Sequence, residues 1–184
     1  MKRFVLFAAA ICLPLSSIIA DLTIGQSYRI SATDVDGNAL STADGHMTTV
    51  VLTTQSGIDK ARAVGDRTPD FCLGNPIYRM ITVVVFEKQH SKPTRMILSA
   101  VMRHRLDSEA RLLQNRYTKL QIPRDARRDV FAVADFGGAI AKQLGSEPAA
   151  GLFRLFVLGK TGELIKEWSD IPSAEDLAAA LKQN

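Results

Sequence analysis

The stretch TTVVLTTQSGIDKAR, from Thr48 to Arg62, decides the fold of this chain. Its first half is apolar and β-branched without interruption, as is typical of a buried strand. The polar residues at 55–57 then form a turn. Apolar residues follow at the spacing of one helix face: Ile58, Ala61 and Val64. The stretch therefore predicts a strand that passes through a short turn directly into a helix.

The same alternation of strands and helices continues to the end of the chain. Strands are predicted in RMITVVVF (79–86), VFAVADF (130–136), LFRLFVLG (152–159) and ELIKEW (163–168). Helices are predicted from Leu106 until Pro123 stops the pattern, in AIAKQL (139–144) and in SAEDLAAALKQ (173–183). A turn at DVDGN (34–38) precedes them between two short extended stretches, and Lys160-Thr161-Gly162 joins the last two strands as a hairpin. This order predicts an α/β sandwich with an antiparallel hairpin at one edge of its sheet.

The first twenty residues have the composition of a secretory signal peptide. Lys2 and Arg3 precede the apolar run FVLFAAAICLPL, and Ala20 is a small residue suited to the cleavage site. The run is shorter than the roughly 20 apolar residues that a membrane span needs, although an uncleaved anchor remains the alternative. We therefore expect a signal peptide at 1–20, a single domain at 21–184, and a secreted or periplasmic protein with no membrane span after cleavage.

The charge and the histidines of the chain exclude several kinds of site. Cleavage after Ala20 leaves 21 basic and 19 acidic residues, a formal net charge of +2, which is too small to indicate nucleic-acid binding. His46, His90 and His104 lack the spacing of metal ligands. We therefore predict no metal and no cofactor.

Two short motifs have simpler explanations than ligand binding. Asp34, Asp36 and Asn38 match the start of a calcium loop, but the later ligands are missing, so a plain hairpin turn is the interpretation. The letters GKT at 159–161 lack the earlier glycine of a phosphate-binding loop, and predicted strands flank them on both sides.

The region 103–128 is locally basic. It has an excess of five positive charges, from eight basic residues against three acidic ones: Arg103, Arg105, Arg111, Arg116, Lys119, Arg124, Arg127 and Arg128 against Asp107, Glu109 and Asp125. Such a surface can dock an acidic protein partner or anionic lipid head groups. A solvated helix face with its following loop is the alternative.

The order and spacing of these pieces resemble the thioredoxin superfamily, in particular secreted bacterial thioredoxin-like proteins of the cytochrome-maturation type and their peroxiredoxin relatives. The resemblance covers residues 29–183 and rests on DVDGNAL, DGHMTTVVLTT, MITVVVF, VFAVADFGGAIAKQLG and GLFRLFVLGKTGELIKEW. It implies a thioredoxin-like three-layer α/β/α sandwich with a mixed central sheet.

The resemblance also implies where the redox groups of that family would stand. In the family, a Cys-x-x-Cys pair sits at a helix N-terminus, where the helix dipole favours the thiolate. Here Ser56 and Asp59 occupy those two positions, and neither can form a disulfide. The position of the family's cis-proline falls on Phe153, before which we expect a trans bond. Of the residues around the reactive cysteine of peroxiredoxins, this chain has only the threonine three residues earlier, which is Thr53.

Cys72 is the one cysteine after residue 20, so it cannot form an intramolecular disulfide in the cleaved chain. It is either a reactive thiol helped by neighbouring arginines, such as Arg67 and Arg79, or a small buried residue between Phe71 and Leu73. The sequence favours a binding or scaffold module that lacks the redox dithiol and is not an enzyme. The alternative is a single-cysteine thiol-disulfide oxidoreductase or redox sensor that uses Cys72.

Overall fold

The structure, a computed structural model, describes residues 22–183. The predicted signal peptide and its cleavage site lie outside these residues. The strands are β1 (Ser31–Thr33), β2 (Ala39–Ser41), β3 (Met47–Thr54), β4 (Tyr78–Val85), β5 (Val130–Asp135), β6 (Phe153–Leu158) and β7 (Leu164–Trp168). The helices are α1 (Ile58–Asp66), α2 (Lys92–Lys119), α3 (Ala139–Gln143) and α4 (Ala174–Leu181). Within the described chain, no helix is both long enough and apolar enough to cross a bilayer.

The central sheet is mixed and has five strands in the order β5-β4-β3-β6-β7. Strands β3, β4 and β5 run parallel, whereas β6 pairs antiparallel with both β3 and β7. Strand β3 lies in the middle, and all eight of its residues are buried. This position explains its continuous apolar and β-branched sequence, because both of its faces are covered.

The two faces of the sheet have different covers, which makes three layers. On one face, α3 and the β1-β2 hairpin pack on alternate strand residues such as Val50, Ile81 and Phe156. On the other face, α1 and α4 pack on residues such as Val51 and Leu155, and α2 packs nearer β4 and β5. The sandwich and mixed sheet predicted from the sequence are confirmed.

The prediction that a helix begins near Leu106 is wrong, because α2 already begins at Lys92. Ser91 is its N-cap, and the Ser91 hydroxyl accepts a long hydrogen bond of 3.5 Å from the Thr94 N–H. Pro93 lies in the first turn, where a proline needs no hydrogen-bond partner for its nitrogen. The helix ends at Lys119, before the predicted stop at Pro123.

Candidate functional site

The segment between β3 and α1 is a tight turn with exposed side chains. Strand β3 ends at Thr54, and a single helical turn at Gln55–Gly57 leads into α1. The hydroxyl oxygens of Thr54 and Ser56 lie 2.9 Å apart and share a hydrogen bond. Among the described side-chain hydrogen bonds, this is the one that Ser56 makes, and it links two neutral hydroxyls. Within residues 22–183, the Ser56 hydroxyl therefore makes no hydrogen bond to a base that would activate it as a nucleophile.

Gly57 allows this turn to pack closely against its neighbours. A Cβ atom at this position would lie 2.3 Å from the Thr53 Oγ1 and 3.8 Å from the Leu152 carbonyl oxygen. The first distance is far below van der Waals contact, so a larger residue here would displace the Thr53 side chain. The second distance shows that the turn lies beside Leu152, the residue directly before β6.

Phe153 is the first residue of β6 and lies opposite Thr53 in the antiparallel register. Its side chain is buried, and the Lys60 Nζ lies 5.2 Å from the centre of its ring, which is a cation–π distance. The described backbone has no cis peptide bond, so the bond before Phe153 is trans. An aromatic ring under a lysine thus stands at the position where the resemblance places a cis-proline.

Asp59 lies in the first turn of α1 and is almost fully exposed, at 93% of its side-chain surface. Its Oδ1 is 3.6 Å from the Arg62 Nη1, one helical turn later. A carboxylate near a helix N-terminus is stabilised by the helix dipole. The structure therefore places Ser56, Asp59 and Phe153 around one end of the sheet, and it places Cys72 elsewhere.

Cys72 ends a one-turn helix at Asp70–Cys72, beyond the C-terminal end of α1. Its side chain is buried in the cluster that contains Val64 and Leu181, with 6% of its surface exposed. Burial raises the pKa of the Cys72 thiol to about 12. The thiol is therefore protonated at neutral pH. The Cys72 segment lies beyond one end of α1 and the Ser56 turn precedes the other end, and α1 is about 13 Å long.

The segment around Cys72 is held by a polar cluster that the sequence did not reveal. The buried Tyr117 hydroxyl accepts a 2.9 Å hydrogen bond from the Gly74 N–H and donates one of 2.8 Å to Asp129. Arg124 Nε binds the same carboxylate at 2.8 Å. Burial and the bond to Asp129 raise the pKa of Tyr117 to about 12. Only the helical spacing of Tyr117 was visible in the sequence, because its partners are distant along the chain.

Part of the basic region has structural partners. Arg116 pairs with Asp70 at 2.6 Å, Arg124 with Asp129, and Arg127 with both Asp36 and Asp107. Five other basic side chains form no ion pair among residues 22–183: Arg103, Arg105, Arg111, Lys119 and Arg128.

The two dismissed motifs have turn geometry. The Asp34 Oδ1 accepts hydrogen bonds from the N–H groups of Asp36 and Asn38, at 3.0 and 2.7 Å. The Gly162 N–H donates to the Gly159 carbonyl at 2.9 Å, and Gly162 has a φ of 82°, which favours glycine. Over the described part of the chain, no three His, Cys, Asp or Glu residues are grouped as metal ligands.

The chain is similar in structure to several thioredoxin-like proteins. The pneumococcal exposed lipoprotein thioredoxin of Streptococcus pneumoniae has a TM-score of 0.52 and 14% identity, with 85% of this chain and 99% of the other covered. A DsbF homologue of Corynebacterium diphtheriae has a TM-score of 0.51 and 12% identity, with coverages of 97% and 100%. A thiol:disulfide interchange protein of the thioredoxin family from Chlorobium tepidum has a TM-score of 0.50 and 13% identity, with coverages of 89% and 97%.

These similarities establish the fold of the chain. No protein-family model matches the sequence, and no curated protein matches it. At identities of 12 to 14%, the likeness extends to the arrangement of strands and helices and not to activity.

Proposed function

We propose that this chain, which has the thioredoxin fold, is a secreted or periplasmic binding or scaffold protein that does not exchange disulfides. The observation that carries the proposal is that the exposed helix start and the thiol lie in different parts of the chain. The exposed turn at the start of α1 has Ser56 and Asp59, and the thiol of Cys72 is buried with a raised pKa. A nucleophilic thiol needs access and a substantial thiolate fraction together.

The alternative is an oxidoreductase or redox sensor that uses Cys72 alone. It would require the segment at 70–74 to open, and the hydrogen bond from the Gly74 N–H to Tyr117 opposes such a movement. The burial of Cys72 therefore supports the binding function over the thiol enzyme.

A disulfide reductase assay separates these functions. Insulin reduction driven by dithiothreitol is followed with the wild-type chain, with Cys72→Ala and without protein. A binding protein leaves the rate at the background value in all three reactions. A rate above background that Cys72→Ala abolishes would establish the thiol enzyme instead.

The binding surface that we propose is the set of basic side chains of the region 103–128 that form no ion pair within residues 22–183, which includes Arg103 and Arg111. Their charge suits an acidic protein segment outside the cytoplasm, and attraction of this kind is weakened by salt. Polyglutamate serves as the acidic probe. Its binding should decrease with added salt and in Arg103→Gln/Arg111→Gln, but not in Lys166→Gln, which removes an exposed lysine of β7. Equal binding by both variants would contradict this surface.

A further inference from the structure

A cavity of about 580 Å³ lies between the central sheet and helices α1 and α2. Its volume is within the range of pockets that hold small organic molecules, about 300 to 1,000 Å³. Its floor consists of side chains from neighbouring strands on the face that α1 and α2 cover: Thr49, Met80, Thr82, Val84 and Ala132. Protein interiors are normally packed with few voids larger than a water molecule, so a space of this size is a distinct feature of the chain.

Long polar side chains connect the later part of α1 to α2, whereas at the start of α1 Ile58 packs on the apolar cluster of Met102 and Leu106. Arg62 of α1 binds both carboxylate oxygens of Glu109 of α2 through its Nε, at 3.1 and 3.2 Å. Arg116 of α2 reaches past the end of α1 to the Thr68 carbonyl oxygen at 2.7 Å. On the α1 side, the small residues Ala61 and Gly65 line the cavity together with Ile58 and Asp66. The two bridges thus span the space between the helices that the cavity occupies.

The exposed residues of its lining show where the cavity opens. On α2 these are Val101, Arg105 and Leu112, which are four and seven residues apart and therefore lie in one stripe along the helix. Val101 is 45% exposed and Leu112 57%, so an apolar side chain stands on each side of the Arg105 cation. Arg62 and Arg116 of the same lining are paired with carboxylates, whereas Arg105 forms no ion pair within residues 22–183.

We propose that this cavity binds a single-chain amphiphile, with the hydrocarbon chain inside it and an anionic head group beside Arg105. Met80, Val84 and Ala132 of the floor and the apolar rim suit the hydrocarbon chain. The Arg105 cation between two exposed apolar side chains suits the head group. Asp66 on the α1 side of the lining would instead favour a cationic head group, and the experiment includes that case. The inference goes beyond the proposed function, because the cavity can hold an amphiphile whether or not the chain exchanges disulfides.

Dansylated undecanoic acid is the probe, and its fluorescence is titrated with the purified chain. Thr82→Phe fills the cavity from its floor, and Thr82→Val is the matched control of unchanged volume. Gly65→Leu fills it from α1, where an added Cβ meets no atom within 4 Å, and it serves if Thr82→Phe does not fold. If the probe can bury two fewer methylene groups, its dissociation constant rises about tenfold. Thr82→Phe and Gly65→Leu should therefore each raise the dissociation constant at least that much.

The head group is tested separately. Arg105→Gln should weaken binding of the acid about fivefold, as expected for one exposed ion pair, and should leave binding of dansylated undecanol unchanged. Lys166→Gln, which removes an exposed lysine of β7 outside the cavity lining, is the control and should have no effect. Dodecylamine should not displace the probe. Displacement by dodecylamine, or equal effects of Arg105→Gln and Lys166→Gln, would overturn the assignment of the anionic head group.

Vesicles of phosphatidylglycerol that contain lysophosphatidylglycerol, an anionic lipid with one acyl chain, distinguish a free amphiphile from a membrane lipid. A free amphiphile binds to the wild-type protein without vesicle association, whereas a membrane lipid brings the protein to the vesicles in a Thr82-dependent way. Either result supports the cavity. Absence of saturable probe binding, or binding that Thr82→Phe and Gly65→Leu both leave intact, would overturn it.

Discussion

The turn before α1 and the segment at 70–74 divide between them two properties that a reactive thiol needs. The turn has access to solvent and a helix N-terminus, but its side chains are Ser56 and Asp59. The segment at 70–74 contains the thiol, but the Cys72 side chain is buried and its pKa is raised. Since α1 separates the two regions, no side chain of either combines access with a thiolate. The comparison teaches that a thioredoxin-like fold can present an exposed turn without thiols at a helix N-terminus, while the thiol among residues 22–183 contributes to packing elsewhere.

The comparison predicts that stability depends on the Cys72 segment much more than on the turn. Tyr117→Phe leaves the Gly74 N–H and the Asp129 carboxylate without their shared partner in a buried region. We expect the free energy of unfolding to fall by about 2 kcal/mol, as is typical of unsatisfied buried polar groups. Urea denaturation measures this change.

Tyr28→Phe is the matched control for Tyr117→Phe. The Tyr28 hydroxyl accepts a hydrogen bond from the Thr23 N–H in an exposed setting, so its loss should cost less than about 0.5 kcal/mol. Equal losses in the two variants would show that the Tyr117 cluster does not anchor the Cys72 segment.

The raised pKa of Cys72 predicts a loss of stability in alkali. The folded chain keeps the thiol protonated up to a pKa of about 12, whereas the unfolded chain ionises from about 9.0. The contribution of the thiol is thus fully present below pH 9 and is lost as the pH rises toward 12. Between pH 9 and 10, the loss due to Cys72 should be about 1 kcal/mol.

Cys72→Ala isolates this contribution, because Tyr117 and the other alkaline groups remain in both proteins. The difference in unfolding free energy between wild type and Cys72→Ala should shrink with rising pH in urea titrations. A constant difference from pH 8 to 11 would mean that the thiol is not shielded from solvent in the folded protein.

The turn should tolerate the introduction of a pair of thiols at positions 56 and 59. We expect Ser56→Cys/Asp59→Cys to fold, with a change in unfolding free energy below about 1 kcal/mol, since both side chains are exposed. A thiol at the start of α1 should have a lowered pKa, and alkylation at pH 7 should be at least about tenfold faster there than at Cys72. Failure of this variant to fold would show that the turn has a structural role of its own.

The sequence predicted the sandwich because its strands have continuous local patterns. All eight residues of β3 are buried, and the uninterrupted stretch MTTVVLTT follows from that environment. The start of α2 was missed because Pro93 resembles a helix stop, although the first turn of a helix accepts it when Ser91 is the cap. A long helix that touches the sheet on one side only also carries a weak apolar pattern, and exposed residues such as Ile97 obscure it further.

The candidate site was predicted in part for the same reason. The positions of Ser56 and Asp59 follow from the strand-turn-helix order, which is local. The burial of Cys72 depends on Val64 and Leu181 from two different helices, and Tyr117 of a third helix holds the neighbouring Gly74. The cavity is spanned by contacts such as that of Arg62 with Glu109, which are 47 residues apart in the sequence, and no local sequence pattern predicts such a contact.

The rate at which Cys72 reacts with Ellman's reagent tests the central claim most directly. At pH 8, a thiol pKa of about 12 in place of 9.0 lowers the thiolate fraction about a thousandfold. We expect the folded wild-type chain to react about that much more slowly than the same chain in concentrated urea. Reaction of the folded chain at or above the rate in urea would contradict the account and establish Cys72 as a reactive thiol.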